Sequence, residues 1–493
     1  MEHKVLVAKR RTKIVATLGP ASNKPEVLDA LIKAGVDVVR LNFSHGEASE
    51  HLTLAETVRD RATAYGRQVG VLADMQGPKI RIARFQAGKI YLEEQATFVL
   101  DAGLDADAGD NEHVGIDYKQ LPQDVERGDT LLLDDGRIVF WVEKIEGQRV
   151  ICRVIVGGEL SNNKGINRQG GGLSAEALTD KDKADIITAA KMQADYVAIS
   201  FPRSAEDIHY ARKLLRNAGG YGSIIAKIER AEALDVLDEI IEASDGVMVA
   251  RGDLGVEIGD AALPPIQKKI IQRARQLNRV VITATQMMES MITNAIPTRA
   301  EVFDIANAVL DGTDAVMLSG ETAVGRYPVK VIEAVDRICL TAEQQREIRV
   351  SHHRMDSHFQ EMDEAIAMSA MYLANHLDVK AIAALTETGT TALLMSRISS
   401  GIPIFALTPY TETLGKVTLY RGVYPVSFKV HHTDHAALNL EAIEEMQRSG
   451  LVSDGDIVII TKGDPEVQGS TNTLKLVRVG DMVKPDDSAR SHK

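Results

Sequence analysis

The sequence predicts an α/β protein: a TIM (β/α)8 barrel interrupted by an inserted all-β lid domain and followed by a C-terminal α/β domain. Three observations carry this. Short apolar, β-branched runs recur at 14–18, 38–42, 69–75, 196–200, 224–229, 247–253, 280–286 and 315–319, with helix-like stretches such as 25–34 and 264–277 between them. The even spacing breaks once, between the third and fourth runs. A further alternation of strands and helices follows the eighth.

Runs that are apolar throughout, rather than at every second position, suit strands buried on both faces, as in repeated βα units. Eight such units suggest a closed barrel. An open dinucleotide-binding sheet would place a glycine-rich turn after the first strand, and Leu18-Gly19-Pro20 is not one. Inside the break the pattern changes to hairpins: runs at 130–133 and 137–142 flank Asp134-Asp135-Gly136, and 150–156 follows Glu146-Gly147. Beyond a polar stretch at 346–363, apolar runs at 381–385, 404–407, 423–430 and 457–461 make the last domain. The predicted segments are 1–77 (barrel, after a short N-terminal extension), 78–174 (lid), 175–345 (barrel resumed) and 346–493 (C-terminal domain).

Composition narrows the function classes. A chain of 493 residues, 44% hydrophobic and 26% charged, is long enough for several cores. No apolar run approaches the roughly 18 residues of a membrane span, and the apolar patch 5–8 is too short for a secretory signal. A net charge of -13 argues against general binding to nucleic acid or anionic lipid. The two cysteines, Cys152 and Cys339, exclude a disulfide scaffold or an all-cysteine metal cage, suit a reducing cytoplasm, and read as core thiols.

Catalytic groups of such a barrel sit at the carboxyl ends of its strands. There the pairs Arg40/Asn42, Lys227/Glu229, Arg251/Asp253 and Thr283/Thr285 are each spaced by two, which puts both members on one strand face. Any one of them could be a solvated strand end; four strands together point to a site at the mouth. Glu229 and Asp253 offer two hard carboxylates, the usual protein share for Mg²⁺, and with no His or Cys beside them zinc is disfavoured. Arg40 and Lys227 add positive charge, so the set suits a phosphorylated anion and phosphoryl transfer. The segment 319–322 reads either as a phosphate turn or as a helix cap. Two other readings stay open: a metal-dependent lyase or aldolase with Lys227 as a Schiff-base amine, and a non-catalytic sugar-phosphate sensor.

The stretches 11–22 (RTKIVATLGPAS), 40–46 (RLNFSHG), 226–229 (AKIE), 248–255 (MVARGDLG), 282–291 (ITATQMMESM), 297–301 (PTRAE) and 317–322 (MLSGET) resemble pyruvate kinases, and the likeness covers nearly the whole chain. It implies the last step of glycolysis, phosphoryl transfer from phosphoenolpyruvate to ADP giving pyruvate and ATP, in an allosteric cytoplasmic homotetramer. It assigns Mg²⁺, with Mn²⁺ as a substitute, to Glu229 and Asp253. Phosphoenolpyruvate falls to Arg40, Lys227, Gly252, Asp253 and Thr285, with Lys227, Arg40 and Thr285 catalytic. The nucleotide side takes Asn42, Ser44, His45, Arg81 and Lys164. The family's monovalent-cation site corresponds to Asn42, Ser44, Asp74 and the Met75 carbonyl. Lys79 stands where potassium-dependent members carry glutamate, which implies that K⁺ is not required. The loop 385–391 (LTETGTT) corresponds to the effector phosphate loop, with Thr386, Thr388, Gly389, Thr390 and Thr391 as its donors. Glu387 stands where a basic residue is common, so a sugar phosphate or a nucleotide monophosphate is the expected effector.

Overall fold

The computed structural model describes residues 10–345, 359, 361–432, 434–464 and 471–481. The patch 5–8 and most of the stretch 346–363 lie outside the described residues. Strands Lys13–Thr17, Val38–Asn42, Gly70–Asp74, Tyr196–Ile199, Ser223–Ile228, Gly246–Ala250, Val280–Ala284 and Ala315–Leu318 close into a parallel barrel in chain order. Alternation within each strand sorts its residues. Ile14, Ala16, Val39 and Val281 pack outward against the helices, whereas Val15, Val38, Ile225 and Ile282 fill the lumen.

The lumen core is continuous with Val417, Leu419, Tyr420 and Val423 of the C-terminal domain, which therefore plugs the base of the barrel and leaves the mouth as its open end. That domain is a five-stranded sheet, with Val379–Leu385 between Ile404–Thr408 and Ile457–Lys462. Its edge strand Thr473–Arg478, antiparallel to Ile457–Lys462, was not expected from the sequence, because its largely exposed side chains carry little apolar signal. The third strand of the domain stops at Ser427, short of the 430 expected.

Between Asp74 and Tyr196 the chain builds a six-stranded sheet around Phe98, Phe140 and Leu131 plus a two-stranded ribbon, Lys89–Leu92 with Gly158–Ser161. The hairpins fall where the turn residues put them: Asp134, Asp135 and Gly136 all have positive φ between Thr130–Leu133 and Ile138–Glu146, and Gly147 turns the chain into Arg149–Val156. Both cysteines are buried, and burial pushes each thiol up to about 12.

Two expected strands end early, and this changes the site. The run 247–253 is a strand only to Ala250; Arg251–Ile258 is a helix. The run 280–286 is a strand only to Ala284, after which Thr285 and Gln286 take φ of 69° and 52°. The equal-spacing argument therefore fails for Arg251 and Thr283. Arg251 turns away from the mouth to Asp304, and Thr283 is an outward position, fully buried and bonded to Thr313.

Candidate active site

Lys227 lies at the centre of the mouth. Its strand parity points it into the lumen, where Nζ donates to Ser200 Oγ at 2.7 Å and lies 3.1 Å from Glu229 Oε1 and 3.3 Å from Asp74 Oδ1. Burial opposes the ammonium, yet Asp74 and Glu229 together hold its pKa above the ordinary lysine value. A permanently charged lysine is a poor Schiff-base amine and a good electrostatic partner for an anion. This removes the main support for the lyase reading.

Arg40 extends the positive surface. Its Nε donates to Asp74 Oδ2 at 2.6 Å and its Nη1 to Thr17 Oγ1 at 3.0 Å, so the guanidinium is fixed by the strands on either side. Asp74, fully buried, is driven toward ionisation by Lys227 and Arg40 against its desolvation and sits below the usual carboxylate range. Its Oδ1 makes no hydrogen bond, and the contact with Lys227 is the longest in the group. The Ser200 hydroxyl donates to the Met75 carbonyl at 2.8 Å, so the carbonyl assigned to a monovalent cation already has a donor. Ser200 and Thr17 were missed from sequence. Each is a small hydroxyl at a strand end, and only the parity of its own strand marks it.

Glu229 and Asp253 bracket the other side. The Phe201 amide, held at a positive φ of 54°, donates to Glu229 Oε2 at 2.9 Å. Burial raises the Glu229 pKa, Lys227 opposes it, and the charges of Asp253 and Asp74 raise it further. Carboxylates that repel one another in a buried place are a donor set that a hard divalent ion relieves, and two of them leave room for water and substrate oxygens. Among the described residues no group of three or more His, Cys, Asp or Glu forms a cage. Glu229 and Asp253 thus offer oxygen donors that fit a hard divalent cation. Lys79 reaches in from the lid, its Nζ 3.0 Å from Asp253 Oδ1.

Thr285 is the strained member. A β-branched residue at φ 69° is a backbone outlier that its surroundings must enforce. Arg251 supplies that enforcement: Nε binds the Ala284 carbonyl, Nη2 binds the Thr285 carbonyl at 2.6 Å, and Asp304 holds the guanidinium from behind. The Thr285 hydroxyl accepts the Gly252 amide at 2.8 Å and donates to the Ala284 carbonyl at 2.6 Å. Gly252 and Thr285, both assigned to the substrate by the resemblance, are thus bonded to each other and form one unit.

The model profile "Pyruvate kinase, barrel domain" matches residues 9–332, and "Pyruvate kinase, alpha/beta domain" matches 364–477. The chain belongs to the pyruvate kinase family. Pyruvate kinase II of Salmonella typhimurium is 58% identical over 475 residues, covering 95% of this chain and 99% of that protein. Pyruvate kinase of Haemophilus influenzae is 55% identical over 94% of this chain and 97% of its own. A crystal structure of a pyruvate kinase from Cryptosporidium parvum superposes with a TM-score of 0.89 at 35% identity, covering 96% of this chain and 97% of that one. The protein is a phosphotransferase with the pyruvate kinase fold.

Not every family-like motif lies at the mouth for chemistry. In 297–301, Thr298 and Glu301 form a reciprocal cap on helix Arg299–Asp311, and Glu301 also holds Ser290. In 317–322, Glu321 accepts the Ser319 and Met288 amides and Thr322 binds the Thr17 carbonyl, so this segment is a loop brace rather than a phosphate turn. Asn42 caps the Ser44 amide at 3.1 Å, and the His45 carbonyl lies 2.9 Å from Nε2 of His51, which stacks on Phe43. Arg81 and Lys164 adjoin at the base of the lid: Arg81 pairs with Gly165, and Lys164 binds Asp134 at 2.6 Å. They are brought near Lys79, whose Cε approaches Gly165, and not onto the strand ends.

In the C-terminal domain, Thr386, Thr388, Thr390 and Thr391 line a cavity of about 310 Å³ together with Lys462 and Tyr410. Gly389, at φ 81°, opens the helix Thr390–Ser396, and its amide binds Thr386 Oγ1. Lys462 was missed from sequence. It ends the strand Ile457–Lys462, two residues after the apolar run 457–460, a polar strand end of the kind that revealed Lys227.

Proposed function

We propose that this chain transfers the phosphoryl group of phosphoenolpyruvate to ADP, giving pyruvate and ATP in the cytoplasm, and that the mouth residues divide the work. The observation that carries this is the buried Lys227 ammonium, shared by Asp74, Glu229 and Ser200 next to Asp253. Phosphoryl transfer passes through a loose, highly charged transition state, which asks the protein for positioning and fixed positive charge. Lys227 and Arg40 supply that charge from rigid strands, and Lys227 stabilises the enol oxygen as its bond to phosphorus lengthens. Thr285, whose hydroxyl accepts the Gly252 amide, would help relay the proton that makes pyruvate. Glu229 and Asp253 would hold Mg²⁺, or Mn²⁺ in its place, which supplies divalent charge to the substrate phosphate. Asn42, Ser44, His45, Arg81 and Lys164 would face the nucleotide as the lid 78–174 closes on the barrel segments 1–77 and 175–345.

Potassium is not required in this reading. Lys79 brings an ammonium to Asp253, and a unit charge about 5 Å away at an effective dielectric near 20 is worth roughly 3 kcal/mol. That replaces the ion of the site at Asn42, Ser44, Asp74 and Met75. The domain 346–493 would regulate: the cavity beside Thr386, Thr388, Gly389, Thr390 and Thr391, lined also by Lys462, whose Nζ donates to the His435 carbonyl, would take the phosphate of a sugar phosphate or nucleotide monophosphate. Largely exposed Ile296, Phe303 and Val324 on the barrel and Met362 on the C-terminal domain favour further copies of the chain as partners, in a homotetramer. Among the described residues no helix is long and apolar enough to cross a membrane.

Pyruvate formation, followed with phosphoenolpyruvate, ADP and Mg²⁺ each omitted in turn, tests the reading; turnover that persists without ADP would contradict it. A panel of sugar phosphates and nucleotide monophosphates at subsaturating phosphoenolpyruvate tests the effector cavity, and no response to any of them rejects it.

A further inference from the structure

We propose that Glu257 is a positioning residue that ties the lid to the helix carrying Asp253, so that lid movement and the placement of Asp253 are one event. The inference rests on the reading of Asp253 as a metal ligand.

Helix Arg251–Ile258 carries Asp253 in its first turn and Glu257 four residues later, a spacing that stacks them on one face. Glu257 is 6% exposed and makes three connections. Its Oε2 accepts the Ala231 amide at 2.8 Å, just beyond the strand that supplies Lys227 and Glu229. Its Oε1 is 3.4 Å from Asn167 Nδ2, on the lid strand Ile166–Arg168. Its backbone carbonyl accepts the Gly170 amide at 3.1 Å.

From there the chain returns to the barrel through Gly170, Gly171 and Gly172, at φ of 83°, 80° and 89°, a left-handed run that side chains resist. A Cβ on Gly171 would collide with the Glu232 carboxylate and come within 3.4 Å of Glu257 Oε2, so this strap lies directly on the acidic pair. The other strap of the lid grips the same helix from its opposite end: Lys79 holds Asp253 at 3.0 Å, while the Gly77 amide binds buried Asp182 at 3.0 Å. Lys79, Asn167, Arg230, Asp253 and Glu257 line one crevice between lid and barrel.

Glu257 gains little as an ion there. Arg230 pairs with Glu232 instead, and burial with the Glu232 charge pushes the Glu257 carboxyl up to about 7. A buried acid without an ion-pair partner among the described residues, at the joint between lid and barrel, is better explained by what it positions than by stability.

Glu257→Ala acts from the helix and Asn167→Ala from the lid, so the second keeps the test alive if the first folds poorly. Three readouts are used: hydrogen exchange of the peptide 166–173, Mn²⁺ binding followed directly without nucleotide, and kcat against KM. Coupling of ordinary size predicts Mn²⁺ half-saturation weakened by about 5-fold or more in both variants, faster exchange in 166–173, and a melting midpoint moved by little. The double variant should be no worse than the weaker single, and Glu257→Gln, which retains an acceptor, should recover most of the loss. Faster hinge exchange with unchanged Mn²⁺ binding would overturn the inference, as would effects that simply add. If Asp253→Asn binds Mn²⁺ as the parent does, the metal reading itself fails, a result recognisable because the hinge still responds to Glu257.

Discussion

The two ends of the barrel bury charge in opposite ways. At the base, Arg397 and Asp314, each 1% exposed, form a two-pronged pair. Asp314 also accepts the Val281 and Arg421 amides, and Arg397 reaches the Arg279 carbonyl at 2.7 Å. Every oxygen there is answered, across the joint between barrel and C-terminal domain. At the mouth, Lys227 donates to Ser200 and lies between Glu229 and Asp74, Asp74 Oδ1 has no hydrogen bond, burial and the acidic neighbours raise Glu229, and Thr285 is strained. A closed network of this kind fixes structure. An incomplete one stores electrostatic and conformational cost that a phosphorylated substrate can relieve.

Breaking the base should therefore cost stability and spare chemistry. Asp314→Ala leaves the Arg397 guanidinium buried without its counterion, an effect of about 3–5 kcal/mol. The urea midpoint should fall accordingly, with kcat per folded molecule close to the parent. A normal midpoint with lost turnover would reverse the comparison.

A smaller effect tests the mouth through its substitute cation. In buffer with tetramethylammonium as the only monovalent cation, the parent should turn over fully, and KCl at constant ionic strength should add little. Lys79→Glu should create a potassium requirement of roughly a hundredfold, about 3 kcal/mol. A tenfold rise with potassium in the parent would sink the assignment.

The smallest expected effect is a pH dependence at the base. Asp195 accepts the Val71 amide at 2.7 Å and packs against Gly415 of the C-terminal domain, and burial pushes its carboxyl up to about 6. The folded chain thus holds that proton more tightly than the unfolded one, whose carboxyl titrates near 3.9. Its contribution to stability is present below about pH 4 and is lost as pH rises through about 6. Asp195→Asn keeps the acceptor and removes this loss, so the variant should gain about 1–3 kcal/mol on the parent between pH 4.5 and 7. A difference between the two proteins that does not change with pH would refute it.

The barrel was legible because its strands are apolar along most of their length, on both faces, and their lumen-facing ends break that rule with Lys227, Glu229 and Arg40. Spacing alone misjudged Arg251 and Thr283, since it presumes that the strand continues: Ala250 begins a helical turn, and Thr285 leaves the strand through a left-handed residue. Ser200 and Lys462 were missed although both obey the strand-end rule, which applied to every strand would have found them. The base was not legible at all. Arg397 and Asp314 are 83 residues apart, in segments that only the closed fold brings together, and neither interrupts an apolar run in a telling way. The hinge was hidden for a different reason: three glycines in a row read as a flexible loop, while the carboxylate they rest on lies on a distant helix.

The division between the two ends is tested most directly at Lys227. Lys227→Met removes the shared ammonium but leaves Arg40 on Asp74 and Glu229 on the Phe201 amide, so the fold should survive. Turnover measured at saturating phosphoenolpyruvate, ADP and Mg²⁺, with the melting midpoint read on the same preparation, should show kcat lower by about 10³, roughly 4 kcal/mol of barrier, with the midpoint little changed. Near-normal turnover in a folded variant would contradict the account.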